Sequence, residues 1–154
     1  LCQRVTAFAA KNCGGKIPEN IEFTKDDLLI LDRYKNNLNK IRSEIDNQNI
    51  NYYIDYIINS LFEANKYFND QEPWKMKNDP VRLDTIVYTT LEIVRKVSFL
   101  LFPIIPESSL KALKIFSLEE KDIKLSSIEE NDYLIKGKKI NKINILFNKI
   151  EKND

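Results

Sequence analysis

The chain has 154 residues, of which 43% are hydrophobic and 31% charged, with only 3 Gly and 5 Pro. That composition fits one mostly helical globular domain with a real core and excludes a disordered or fibrous chain. The net charge of +1, from 24 basic and 23 acidic side chains, excludes nucleic-acid binding through a global positive field, so any such site must be local or belong to a larger assembly that supplies the phosphate contacts.

The absence of His removes the commonest general base, and Cys2 and Cys13 cannot complete a zinc ligand set. No nucleophile-base pair, Gly-rich phosphate loop or paired-carboxylate pattern replaces it, so no catalytic residue and no metal site are expected. The thiols read as reduced, in a cytoplasmic setting. No run of eighteen apolar residues marks a membrane span, and the opening Leu1 to Ala10, interrupted by Gln3 and Arg4, is not a signal peptide.

Leu1, Val5, Phe8 and Ala9 recur at helical spacing and predict a first helix over about residues 1–12, ended by Gly14-Gly15 in left-handed conformation. It opens without an N-cap or an initiator Met, which suggests a chain cut from something longer. Thr24 is a cap for a second helix reaching about residue 46, with Asp26 and Asp27 complementing its positive end. Its apolar stripe is Leu28, Leu31, Leu38, Ile41 and Ile45. A third helix is predicted over about Asn51 to Asp70, with Ile54, Ile57, Ile58, Leu61, Ala64 and Phe68 on the core side. Pro73 closes it.

Asp79-Pro80 starts a fourth helix, which carries Leu83, Val87, Leu91, Val94, Val97 and Leu101 and is broken by Pro103 and Pro106. A shorter helix follows from Glu107 to Phe116. Residues 122–132 read as a loop, and Tyr133 to Ile145, around Gly137, as a brief hairpin or irregular return segment. The expected architecture is all-α: an antiparallel bundle of four to five helices over about 1–116, with an irregular return over 117–154, in one domain.

The segment that carries chemistry lies between the third and fourth helices. Trp74, the only tryptophan, follows Pro73 and precedes Lys75 and Lys77. An aromatic face beside ammonium groups can stack a nucleic-acid base and attract its backbone; a Trp after a Pro at a helix end can equally be a structural wedge. Asn65 reads either as a register-fixing buried amide or as an RNA contact, and Tyr67 as a core aromatic with its hydroxyl at the rim. Lys66, Lys75 and Lys77 read as solvated charges or backbone contacts. Arg4 offers a planar fork suited to a base edge or phosphate, or is a solvated helix residue. Glu92 and Arg95, three apart, read as a helix-stabilising ion pair.

The run Ala64-Asn65-Lys66-Tyr67-Phe68-Asn69-Asp70-Gln71-Glu72-Pro73-Trp74-Lys75 resembles the Asn-Lys-Tyr…Pro-Trp segment of the anticodon-binding domain of bacterial methionyl-tRNA synthetases. Leu1-Cys2-Gln3-Arg4-Val5, Lys11 to Pro18, Leu91 to Arg95 and the Leu100 to Pro106 break are similar to that family's further motifs, in order. Leu146-Phe147-Asn148-Lys149-Ile150-Glu151 is similar to its closing Leu-Phe-Pro-Arg-Ile-Glu, departing at Asn148 and Lys149.

The resemblance implies that Trp74 stacks on an anticodon base, Pro73 shapes the pocket and Arg4 contacts the anticodon, with Asn65, Lys66, Lys75 and Lys77 in support. The family's Asn, four positions before the Arg, would lie just before Leu1. Partners would be methionine tRNA, through its anticodon loop, and the catalytic domain of the same ligase. ATP and zinc would belong to that catalytic part, with no cofactor in this chain. Two other readings remain: a helical protein-interaction module without an RNA role, consistent with the near-zero charge, and the anticodon-binding bundle of another class I synthetase.

Overall fold

The computed structural model describes residues 1–142 and 146–147. Five helices run in order as α1 (Cys2–Asn12), α2 (Lys25–Asp46), α3 (Ile50–Asp70), α4 (Pro80–Leu101) and α5 (Pro106–Leu113), as the apolar periodicity predicts. Short 3₁₀ turns occupy Pro73–Lys75, Lys114–Phe116, Glu120–Asp122 and Leu125–Ile128. The loop expected over 122–132 thus contains local turns. Within 133–142 there is no hairpin; the backbone makes one isolated antiparallel bridge, Lys139 to Lys16. The expectations for Ile143 to Ile145 and Asn148 to Glu151 lie outside the described residues. No described helix is long and apolar enough to cross a membrane.

The helix ends follow from local chemistry. Asp79 accepts from the Arg82 backbone N–H at 2.9 Å, and Pro80 occupies the first position of α4, where no N–H is needed. Gly14 and Gly15 take φ of 60° and 69°, and Gly15 N–H returns to the Ala9 carbonyl to close α1. At α2 the Thr24 N–H and hydroxyl both lie 2.8 Å from the Asp27 carboxylate in a capping box.

Helix α4 is the spine. Every residue from Thr85 to Leu100 is buried, because α1, α2, α3 and α5 all pack on it. One apolar cluster joins Val5, Ala9, Ile17, Phe68, Ile86, Leu91 and Phe116; a second joins Leu31, Leu38, Ile57, Ile93, Val97 and Leu113.

The core face of α3 differs from the expected one. Tyr53, Tyr56, Ile57, Ala64, Tyr67 and Phe68 are buried, while Ile54 and Ile58 are exposed and, with Ile50 and Phe62, form an outer ridge at four-residue spacing. The tyrosines can go inside because each hydroxyl finds an acceptor: Tyr53 the Leu100 carbonyl, Tyr56 the Arg33 carbonyl, Tyr67 the Asp27 carboxylate. Leu28 and Ile45 of α2 are likewise partly exposed, and Tyr34 replaces them within its buried stripe.

Burial fixes the alkaline limit of stability. It pushes the Tyr53 hydroxyl from 10.0 to about 12 and raises Tyr34, Tyr67 and Tyr88 further; it lifts the Cys2 and Cys13 thiols from 9.0 to about 11 and about 12. The unfolded chain therefore releases protons first, and the stability these groups contribute, complete below about pH 9, falls as pH rises toward their folded values. Lys96, lowered to about 8 by burial and the adjacent Arg95, acts in the opposite sense between about pH 8 and 10.5. Six acidic groups outweigh one base, so the urea midpoint should be lower at pH 11 than at pH 9; equal midpoints would contradict the burial of these hydroxyls.

Candidate nucleic-acid interface

Gln71 leaves α3 and Glu72 turns the chain through a left-handed conformation, φ 46° and ψ 54°, unusual for a residue with a side chain. From that turn Pro73 enters the buried interior and starts a single 3₁₀ turn in which Lys75 N–H donates to the Glu72 carbonyl at 2.8 Å. The proline's fixed φ and missing donor suit this first position. The turn packs on α4 and leaves the next residue, Trp74, 41% exposed.

Arg4, on α1, reaches this indole. Its guanidinium carbon lies 5.6 Å from the Trp74 ring and 5.0 Å from the Phe68 ring. The Phe68 and Trp74 centroids are 6.3 Å apart at 62°, and Phe8 meets Phe68 edge-on at 5.7 Å. The result is an aromatic cluster with a cation on it, worth about 0.5–1 kcal/mol at an exposed site. Two groups far apart in sequence, Arg4 and Trp74, are thus brought together, and Pro73 backs them from the interior.

Phe8 and Phe68 were read from sequence as core residues only. Phe68 is core, at 1% exposure, and is also the floor of the cluster. The spacing carried a signal: Phe8 is one helical turn from Arg4, and Phe68 precedes Trp74 by six residues at the end of α3.

The supporting residues separate from the cluster, two of them through carboxylates three and four residues away. Lys75 pairs with Glu72 at 2.7 Å, and Lys66 with Asp70 at 2.5 Å, so both ammonium groups are internally compensated. The cation seated on Trp74 is Arg4, not the neighbouring lysines. Lys77 is exposed. Asn65 donates to the Leu61 carbonyl of its own helix at 3.0 Å, so it does not fix a register between helices. Tyr67 is buried and donates to Asp27.

That bond belongs to a polar network behind the turn. Asp27, fully buried, accepts both Arg82 Nη1 and Nη2, at 2.6 and 3.0 Å, and Arg82 Nη2 also reaches Gln71 Oε1 at 2.5 Å. Burial pushes the Asp27 carboxyl up, but the hydrogen bonds from Arg82, Tyr67 and Thr24 outweigh it and hold the pKa below the usual carboxylate value. Asp27 was expected to serve only the end of α2; it ties α2, α3 and α4 together at the foot of the Trp74 turn. An apolar cavity of about 590 Å³ lies elsewhere, lined by residues that include Leu1, Leu61, Val97 and Leu101 and none of the Arg4–Trp74 cluster.

The arrangement can stack a planar base on a half-open indole while a five-donor cation holds an edge or a phosphate, the chemistry of single-stranded nucleic-acid recognition. It contains no reacting pair.

Comparison with known proteins points the same way. The family model described as the anticodon binding domain of methionyl tRNA ligase matches residues 17–154. A methionine–tRNA ligase of Mycobacterium leprae is 39% identical over 125 residues, covering 78% of this chain and 23% of the relative. One from Brucella suis is 39% identical over 119 residues, covering 77% of this chain and again 23% of the relative. The crystal structure of apo Mycobacterium tuberculosis methionyl-tRNA synthetase superposes with a TM-score of 0.87 at 28% identity, over 98% of this chain and 31% of that one. The chain thus spans about a quarter of the length of the curated relatives it matches.

Proposed function

Because the chain belongs to the anticodon-binding domain family of methionyl-tRNA ligases, we propose that it recognises the anticodon loop of methionine tRNA through Trp74, Arg4 and Pro73. The observation that carries this reading is the meeting of Arg4 and Trp74 in one exposed cluster. Trp74 supplies a stacking face for an unstacked base, Arg4 a fork for a base edge or phosphate, and Pro73 the rigid wall that aims the indole. Among the described residues Lys77 makes no ion pair and can approach the backbone, whereas Lys66 and Lys75 must first leave their carboxylates.

On this reading the domain serves a ligase that joins methionine to its tRNA at the expense of ATP, in the cytoplasm. ATP and zinc belong to the catalytic part of such a ligase, and the residues described here hold the tRNA so that its acceptor end reaches that part.

The test uses the single tryptophan directly. Methionine tRNA should change Trp74 fluorescence more than a tRNA with another anticodon does, and Trp74→Ala should weaken binding by about 1–3 kcal/mol, roughly 5- to 150-fold. The melting temperature should barely move, since the indole is half-exposed. Equal responses to both tRNAs would exclude anticodon recognition at Trp74, and an unfolded Trp74→Ala variant would make the residue a structural wedge.

A further inference from the structure

The sequence near α1's end and the return segment share an unusual charge pattern. Residues 10–18 and 133–142 together carry six lysines, Lys11, Lys16, Lys136, Lys138, Lys139 and Lys142, and no acidic residue, in a chain whose total charge is only +1. The fold zips these two segments together. Ile17 N–H donates to the Lys138 carbonyl, Gly137 N–H to the Ile17 carbonyl and Ile140 N–H to the Gly15 carbonyl, each at 2.8 Å. Gly137 is required there: its φ is 75°, and a Cβ would stand 2.6 Å from the Glu19 carboxylate.

The register of this zipper places Lys16 directly opposite Lys139. The two flanking hydrogen bonds make it the closer, non-hydrogen-bonded kind of antiparallel pair, in which Cβ atoms lie about 4.5–5.5 Å apart. Ile17 and Ile140 are buried on the core side, and Lys16 and Lys139 are exposed. Like charges directly opposite are unfavourable for the fold alone. Lys136 is compensated by Asp132 at 3.0 Å, but among the described residues neither Lys16 nor Lys139 is in an ion pair, although Glu19 lies beside Gly137.

We infer that this lysine pair is a second RNA contact, a clamp for a backbone phosphate of the same tRNA; the inference rests on the anticodon reading above. A phosphodiester between two ammonium groups removes their repulsion, which a neutral or apolar partner could not do. The position suits a strand leading away from the loop. Arg4 and Lys11 are seven apart on α1 and so share a face, and the helix carries this face about 12 Å from Arg4 to Asn12, at 1.5 Å per residue, to where the paired lysines begin. A local pair of this kind is compatible with a total charge of only +1, since it needs two placed ammonium groups and no global field.

The test is a salt titration of methionine tRNA binding to the whole chain, between about 50 and 200 mM. The double variant Lys16→Gln with Lys139→Gln should lower the slope of log affinity against log salt by about 0.7–0.9, the share of one phosphate, and weaken binding by roughly tenfold at the low-salt end of that range. Lysine-to-arginine replacements at both positions should keep the slope. The double Gln variant should melt no lower than the parent, because it relieves a repulsion; a lower melting temperature with an unchanged slope would make the pair merely structural and overturn the inference. Binding that still depends on Trp74 but whose slope ignores the double variant overturns the clamp alone. No binding by the parent chain, or no Trp74 dependence, overturns the anticodon reading and the clamp with it.

Discussion

Glu92→Ala should destabilise the fold by about 3–5 kcal/mol, the range seen when one partner of a buried ion pair is removed. Glu92 and Arg95 are both fully buried on α4, and Arg95 Nε donates to Glu92 Oε2 at 2.6 Å. The other carboxylate oxygen accepts the backbone N–H groups of Tyr133 and Leu134 at 2.7 and 2.6 Å. Arg95 in turn donates to the Ser127 and Glu130 carbonyls, each at 2.9 Å, and lies 4.4 Å from the Tyr133 ring. Truncation therefore leaves a buried guanidinium without its counter-charge and two backbone donors without an acceptor. Against a usual domain stability of about 5–15 kcal/mol, that loss is a large part of the whole. Urea unfolding measures it, and hydrogen exchange at Tyr133 and Leu134 should accelerate. Glu92→Gln, which keeps an acceptor oxygen, should lose less. A loss under about 1 kcal/mol on Glu92→Ala would mean that the return segment is held without Glu92, by the packing of Ile128, Leu134 and Ile140 and by its remaining hydrogen bonds to Lys96 and to residues 15–17.

This buried pair also explains what the sequence could and could not reveal. Spacing three residues apart on a helix announces an ion pair, and one is there. Its depth is invisible in sequence, because what buries it is segment 127–134, which has no apolar periodicity of its own. That segment is held by hydrogen bonds to charges on α4: Lys96 adds the Ile128 carbonyl and Asn131 Oδ1 at 2.6 and 2.7 Å. Polar anchoring leaves no repeating hydrophobic signature, so the return segment reads as a loop although it is fastened down.

Helix α1 was legible because it offers one set of apolar positions with a clear stop signal; on α4 the ends were legible from Asp79-Pro80 and Pro103, but its burial on every face was not, because Glu92, Arg95 and Lys96 interrupt the apolar positions. On α3 two stripes compete at the same spacing: Tyr53, Ile57, Ala64 and Phe68 against Ile50, Ile54, Ile58 and Phe62. Periodicity cannot choose between them, and ranking by hydropathy favours isoleucine. The decision lies in acceptors supplied by α2 and α4, which no local pattern contains. The candidate site divides similarly. Trp74 and Pro73 stand out locally, Arg4 emerges through resemblance to a family motif, and the pairs Lys66–Asp70 and Glu72–Lys75 are four and three residues apart and so were open to a spacing argument; the seat of Arg4 on Trp74 and the lysine pair across the 16/139 bridge depend on tertiary placement.

Asp27→Ala should cost about 3–5 kcal/mol and also loosen Trp74, which separates it from an ordinary core lesion. The carboxylate is fully buried; its removal strips Arg82 of a bidentate partner, Tyr67 of its acceptor and α2 of its cap. Arg82 is the link to function, because it also holds Gln71, the residue before the left-handed turn that launches Pro73 and Trp74. With Arg82 unanchored, that turn loses one of its ties to α4, so fluorescence anisotropy of Trp74 should fall in the folded variant and tRNA binding should weaken although Asp27 touches no part of the cluster. The parent's pKa shift adds a sign. The Asp27 carboxyl titrates below its ordinary 3.8, so its contribution is complete above about pH 4 and is lost as pH falls through the folded value; Asp27→Asn should flatten that acid dependence. The triple replacement Asp27→Leu, Arg82→Met and Tyr67→Phe, which also removes the hydroxyl that Asp27 accepts, distinguishes stability from positioning. A well-packed apolar group of this kind can restore or exceed the parent's stability by about 1–4 kcal/mol, yet it cannot hydrogen-bond Gln71. If Asp27 and Arg82 act as the anchor of the turn, that stable variant still shows a mobile Trp74 and weakened tRNA binding; if it binds like the parent, the network serves the fold only.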